Sequence, residues 1–279
     1  MNTLASNAFS TLEISDIKNK LVTDGWLLVR GKNCDLNDFS ELMHSLCSSL
    51  TFDPARQFSS KETQKVDAGK VAVGLHIENG NTPLPPDVVA FYSQKSAIKG
   101  SQTTVCDGAA LWSGFPKHLK DLFNQLITVT RTLPAHLWKR YVATALDMNE
   151  ALVEEVHLKI FLKQVPNQAG QLNEAGDLRY QLTINPVLSE NLSLKAAFAN
   201  ALLGPSFNYQ KPSYTFADGN NVPEEVITEI AELAEKFTQE VQWQDNDIVI
   251  IDNKRVMHGR REIIGDLSER KLFIGMGNI

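Results

Sequence analysis

The chain has 279 residues, a formal net charge of −6, and a composition of 43% hydrophobic and 22% charged residues. That is enough apolar material for a sizeable core, and the basic residues form no dense stripe, which argues against a nucleic-acid surface. No apolar run approaches membrane-spanning length, nothing at the start reads as a secretion signal, and Cys34, Cys47 and Cys106 lack metal-ligand spacing; the expectation is a cytoplasmic protein with reduced, buried thiols.

Residues 1–11 are small and polar and are expected to fray. Ser15 and Asp16 can cap a helix over residues 15–23, with Ile14, Ile17 and Leu21 on one face, and Asp24-Gly25 ends it. Residues 26–29 read as an apolar strand. Leu36, Phe39, Leu42, Met43 and Leu46 recur at helical spacing over 35–50. Residues 51–70 are polar, carry Arg56, Lys61 and Lys65, and read as a loop bordering a pocket.

Residues 79–86 are rich in turn formers. Strands are expected over 88–92, 103–106, 127–132 and 178–188, and helices over 116–125 and 150–162, with a short one opening at Asp107-Gly108. The uneven stretch 189–221, with a helical piece around 194–203, has the place and length of a lid. Residues 223–240 form the clearest helix, with Pro223 in its first turn, an acidic start, and Val226, Ile230, Leu233 and Phe237 on one face. Residues 241–243 and 248–251 are short strands, and residues 271–276 a last core strand. No repeat, linker or low-complexity tract divides the chain, so one domain spans 1–279.

Two stretches carry the chemistry. His76 and Glu78 are two residues apart in Gly74-Leu75-His76-Ile77-Glu78-Asn79, so on an extended backbone both side chains point the same way. His258, in Asp252-Asn253-Lys254-Arg255-Val256-Met257-His258, supplies a third ligand if the fold joins the two ends. Two imidazoles and one carboxylate on one face of a metal make the facial triad of non-haem Fe(II) oxygenases, with three positions left open. His44, His118, His136 and His157 have no partner motif.

His76-x-Glu78, Gly100-Ser101-Gln102-Thr103, His258 and Arg270, in that order, resemble the TauD/TfdA group of Fe(II)/2-oxoglutarate-dependent dioxygenases, in particular its clavaminate-synthase-like branch. The resemblance runs from about residue 71 to the C-terminus. It implies a mainly β fold with helical additions around a double-stranded β-helix, or jelly-roll, core. It makes His76, Glu78 and His258 the iron ligands, Arg270 the partner of the distal 2-oxoglutarate carboxylate, and Thr103 a second contact to that co-substrate. Three departures stand out. The family more often has Asp where this chain has Glu78, the family's Gly-Gly-x-Thr is here Gly-Ser-Gln-Thr, and the spacing from His258 to Arg270 is short. The retained carboxylate at 78 argues against halogenation and for oxygen chemistry.

The implied reaction consumes O2 and 2-oxoglutarate, releases succinate and CO2, and oxidises an unactivated C–H bond by hydroxylation, desaturation, epoxidation or cyclisation. The substrate is expected to be a small amino-acid-like or specialised metabolite, free or tethered to a carrier protein, with neither nucleic acid nor membrane as partner. Asn79 and Asn81 are candidate substrate contacts or plain turn formers. Arg179, Lys211, Arg260 and Arg261 are the cations available for an anionic substrate. Two other readings of the same residues are a non-catalytic jelly-roll protein that senses a metal or organic acid, and a Zn hydrolase, which leaves Thr103 and Arg270 without a task.

Overall fold

The computed structural model of the chain describes residues 3–5, 13–30, 34–54, 56, 63–66, 69–97, 99–204 and 210–279. Its largest sheet orders the strands Thr3–Ala5, Trp26–Arg30, Asp247–Asp252, Val88–Lys95, Lys271–Asn278 and Ser49–Thr51, with Gln64–Lys65 also paired to Lys271–Asn278. The run Ile248-Val249-Ile250-Ile251 is apolar throughout because both faces of this sheet are covered. Ile248 and Ile250, with Val88, Ala90 and Tyr92, pack under the helices Ile14–Asp24 and Leu36–Leu46. Val249 and Ile251, with Val89 and Phe91, face the other way and meet Val105, Val241 and Val256 of a second sheet.

That second sheet has the order Thr238–Val241, Thr103–Asp107, Val256–Arg260, Val73–His76. The two sheets and the apolar layer between them form the jelly roll. A third sheet, Gln168–Leu172, Leu178–Ile184, Ile127–Leu133, Ser213–Phe216, stands beside it.

The chain crosses from the first sheet to the second at residues 253–255, and buried polar groups hold this corner. Arg255, 3% exposed, grips Asp107 with two donors at 3.1 and 2.7 Å and donates to the Val22 and Thr23 carbonyls at the end of the first helix. Gly25 closes that helix in the left-handed region, at φ 79°, and a Cβ there would lie 2.7 Å from Val256 Cγ2. The second helix starts on Asp35, whose carboxylate accepts from Asn37 and Asp38 N–H while the Asp38 carboxylate accepts from Asp35 N–H.

Several expectations change. Glu13, not Ser15 or Asp16, is the N-cap of the first helix, and Asp16 lies in its first turn. Thr3–Ala5, expected to fray, pair in parallel with Leu28–Arg30; the rest of 1–11 lies outside the described residues. Residues 194–203 are not helical: they hold the strand Ala197–Phe198 and turns, because Ala197, Phe198, Ala199 and Leu202 are buried in a core cluster. The clearest helix ends earlier, at Glu224–Glu235, because Thr238–Val241 pairs with Thr103–Cys106 as an edge strand. The helix Ala135–Ala145 and the strand Gln168–Leu172 were not foreseen. His118 pairs with Glu229, and His157 caps its own helix by accepting from Glu154 N–H.

Candidate active site

His76 ends the strand Val73–His76, Glu78 follows in the turn, and His258 lies on Val256–Arg260, directly opposite His76 in the antiparallel register. The two imidazole centroids are 4.6 Å apart. One ligand atom from each of His76, Glu78 and His258 falls within 4.8 Å of the others. Glu78 Oε2 is the oxygen nearest both rings, 4.0 Å from His76 Nε2 and 3.4 Å from His258 Nε2. The remaining oxygen, Oε1, accepts from Arg56 Nη2 at 2.7 Å. One carboxylate oxygen thus faces the histidines while the other is held by a guanidinium.

The protonation states suit a cation. His76 Nδ1–H donates to the Gly74 carbonyl at 2.8 Å, which leaves the Nε2 lone pair pointing inward. Burial, with His258 close by, pushes the His76 imidazole down to about 4, so it is neutral at ordinary pH. Burial raises the Glu78 carboxyl, but the Arg56 guanidinium and the hydrogen bond from His258 outweigh it and hold the group well below the usual carboxylate range. A neutral imidazole at His76 beside an ionised carboxylate at Glu78 suits a divalent transition metal.

Asn253, fully buried, locks the two halves of the site together. Its Oδ1 accepts from Glu78 N–H at 2.8 Å, while its Nδ2 donates to the Glu78 and Pro86 carbonyls at 3.1 and 2.9 Å. The corner that leads to the His258 strand therefore grips the backbone of Glu78 itself. Nothing in the local sequence of Asn253 distinguishes it, because its partners lie about 170 residues away.

A cavity of about 940 Å³ opens on His76, Glu78 and His258, and Thr103, Arg270 and Arg56 share its wall. Arg270 immediately precedes the strand Lys271–Asn278 and is half-buried; burial and the neighbouring Arg260 push its guanidinium down to about 10. Among the described residues no acceptor bonds to its side chain. Thr103 is buried, and its Oγ1 accepts from Trp243 Nε1 at 3.0 Å, which leaves the hydroxyl hydrogen to be donated elsewhere. Trp243 is a second residue that sequence reasoning missed.

The remaining candidates separate. Asn79 lines the cavity at φ 56°. Asn81 is buried, and its side chain is engaged with the Tyr214 hydroxyl at 3.2 Å. Arg260 reaches the cavity, but its Nη2 holds the Gly69 and Val71 carbonyls at 2.8 and 2.6 Å. Arg261 points away from the cavity: one step past the inward Arg260, its side chain takes the outer side and pairs with Glu235 and Glu240. It is removed from the set of substrate cations, and so is Arg179, exposed on the third sheet. Lys211 stands in the cavity wall in an exposed ion pair with Glu224.

The expected lid over 189–221 divides in two. Its first half is built into the cavity wall: Gly204 meets Gly74 so closely that a Cβ on Gly204 would lie 2.1 Å from the Gly74 carbonyl oxygen, and Ile77 N–H bonds the Asn200 carbonyl. Residues 205–209 lie outside the described residues.

Over residues 4–275 the chain matches the family described as taurine catabolism dioxygenase TauD, TfdA family. Among curated proteins it is 26% identical over 273 residues to the dapdiamide synthesis protein DdaC of Enterobacter agglomerans, covering 90% of this chain and 82% of that one. Solved structures of related folds include the following. PvcB of Pseudomonas aeruginosa has a TM-score of 0.64 and 13% identity, over 99% of this chain and 85% of that one. A second PvcB structure describes that protein as an Fe, alpha-ketoglutarate-dependent oxygenase from an isonitrile synthetic pathway. A taurine dioxygenase of Burkholderia xenovorans has a TM-score of 0.62 and 11% identity, over 99% and 86% of the two chains.

Proposed function

The chain belongs to the TauD, TfdA family of dioxygenases and is an Fe(II)- and 2-oxoglutarate-dependent oxygenase, and from this we propose that it oxidises a C–H bond of a small amino-acid-like metabolite at a metal held by His76, Glu78 and His258. The observation that carries the site assignment is one convergence. Three metal-type ligand atoms lie within 4.8 Å of one another, and Thr103 and Arg270 line the same cavity. The printed names of DdaC and PvcB, dapdiamide synthesis and an isonitrile synthetic pathway, support a role in small-molecule biosynthesis. Glu78 in place of the commoner Asp supports the clavaminate-synthase-like branch.

The roles follow from the contacts. His76 Nε2, His258 Nε2 and Glu78 Oε2 would hold the metal on one face. Arg56 occupies Oε1, so Oε2 is the oxygen that Glu78 would offer to the metal. Arg270 offers the guanidinium fork that fits the distal carboxylate of the 2-oxo acid, and a partly buried fork binds such a group more strongly than an exposed one. Thr103, with its oxygen committed to Trp243, would donate its hydrogen to the same carboxylate. When bound, Fe(II) and 2-oxoglutarate supply O2 activation with loss of CO2 and formation of succinate. The chain supplies orientation and an apolar screen, with Phe91 edge-on to His258 at 5.1 Å.

The test is O2-dependent succinate release from 2-oxoglutarate in the presence of Fe(II), which occurs slowly even without substrate. His76→Ala and Glu78→Ala are expected to lose more than the roughly 10–100-fold typical of removing an outer-shell partner. Tight binding of 2-oxoglutarate with no succinate under any substrate screen would make the chain a ligand sensor instead.

A further inference from the structure

Glu78 is 5% exposed, and a carboxylate so buried needs a counter-charge. Arg56 supplies it, with Nη2 on Oε1 at 2.7 Å. Two contacts to Asp53 place Arg56 there. Its backbone N–H donates to the Asp53 carbonyl at 3.0 Å, which closes one turn. Its Nε lies 3.6 Å from the Asp53 carboxylate, an ion pair longer than a hydrogen bond.

Asp53 is itself held from two sides. Gln64, 1% exposed, accepts from the Asp53 N–H at 2.9 Å and donates to its carbonyl at 2.8 Å. Gln64 pairs with Ile274 on the last core strand, so the turn is fixed to the jelly roll. Tyr141 Oη donates to Asp53 Oδ1 at 3.2 Å. Tyr141 belongs to the helix Ala135–Ala145, which packs on the third sheet through Leu137, Trp138 and Val142. Asp53, Arg56, Tyr141 and Glu78 all line the same cavity.

A carboxylate can give a cation one oxygen or both. Here Oε1 is bonded to Arg56, and Oε2 is the oxygen that faces the imidazoles. The rotation of the Glu78 carboxylate therefore follows the guanidinium, and the guanidinium follows Asp53.

We propose that Asp53 is a positioning residue of the metal site: held by Gln64 and Tyr141, it keeps Arg56 on Glu78 Oε1 and so confines Glu78 to one-oxygen binding. The inference rests on the reading of His76, Glu78 and His258 as ligands, and adds the residues that decide how Glu78 binds. It also makes the third sheet part of the site. Tyr141 is the far end of a line of contacts that runs through Asp53 and Arg56 to Glu78.

The test uses full-length protein saturated with Mn(II). The relaxivity of water protons reports how many waters the bound ion holds, which a merely structural role would not move. A facial triad leaves three positions, and a second Glu78 oxygen would take one of them, so Arg56→Met is expected to lose about one third of the wild-type inner-sphere relaxivity. Arg56→Lys is expected to keep most of it, because an ammonium still donates to Oε1. Asp53→Asn, which spares the Gln64 clamp, falls between wild type and Arg56→Met. In an Arg56→Met background Asp53→Asn changes nothing further, since Asp53 reaches Glu78 through Arg56.

Wild-type relaxivity in Mn(II)-loaded Arg56→Met or Asp53→Asn would overturn the proposal, and so would a further drop in the double variant. If Arg56→Met fails to fold or to bind Mn(II), Asp53→Asn decides: a lowered relaxivity supports the positioning role, and the wild-type value overturns it. If wild-type protein takes up no Mn(II), the ligand reading fails and the proposal with it. If it binds Mn(II) but 2-oxoglutarate leaves the relaxivity unchanged, the co-substrate reading fails, and the comparison of variants still decides the role of Asp53.

Discussion

Ser101 occupies a backbone position made for glycine. It follows Gly100 in the left-handed region, the two with φ 66° and 72°, and its N–H bonds the Glu262 carbonyl at 2.9 Å. Its buried Oγ has no partner among the described residues. The family's second glycine is replaced here at a site where an L side chain is strained and its hydroxyl is left unsatisfied. Ser101→Gly is therefore expected to stabilise the protein by about 1 kcal/mol, the relief of strain and desolvation less the entropy cost of glycine. Urea melts of the two proteins check this, and a destabilised Ser101→Gly would contradict it. At this scale the sequence yields residue types but not partners. His76, Glu78 and His258 are legible because their spacing and chemistry are distinctive. Asn253, Trp243 and Arg56 are not, because their tasks exist only once distant segments meet.

The strand that carries His76 depends on a backbone-to-backbone approach rather than on side chains. A Cβ on Gly74 would lie 2.2 Å from the Leu203 carbonyl oxygen, and backbone atoms cannot yield as a flexible side chain can. Gly74→Ala must push Val73–His76 away from residues 201–204 and shift His76 relative to His258. The expected cost is roughly 1–3 kcal/mol of stability, typical of overpacking, together with weakened binding of Co(II) as a spectroscopic stand-in for iron. A variant with unchanged melting and unchanged Co(II) titration would show that this contact is not needed. Elements are legible where one period dominates, as in the helix Leu36–Leu46 and the strand Ile127–Leu133. They are not where tertiary pairing overrides local preference. Residues 238–241 have helical neighbours yet serve as an edge strand beside Thr103–Cys106, and Ala197 to Ala199 look helical but are drawn into a core.

Across the molecule, Asp252 joins three parts of the fold. Its carboxylate accepts from Leu192 and Lys254 N–H at 3.0 and 3.2 Å, and its own N–H bonds the Gly25 carbonyl. Burial raises this carboxyl from 3.8 to about 6, against the pull of those two N–H groups. A carboxyl raised in the folded state contributes stability that is full below the unfolded value and is lost as pH rises through the folded one. The window is therefore pH 4 to 6, and the loss is of the order of 2–3 kcal/mol at about 1.4 kcal/mol per pH unit. His76 acts with the opposite sign: lowered to about 4, it costs stability as pH falls from 6.5. The readable quantity is thus a difference. The melting temperature of wild type minus that of Asp252→Asn is expected to fall between pH 4 and 6.5, and parallel curves would refute the assignment. The jelly roll was legible at this scale through the family resemblance rather than from hydropathy, since strands covered on both faces show no alternation.

The oxygenase reading requires that two distant segments build one iron site beside an arginine fit for 2-oxoglutarate. Anaerobic titration of the wild-type protein with Fe(II) and 2-oxoglutarate tests it most directly. A weak visible charge-transfer band is predicted only when both are present, absent in Glu78→Ala and shifted to much higher 2-oxoglutarate concentration in Arg270→Ala. No band with both ligands at saturation, or a band indifferent to Glu78→Ala, would contradict it.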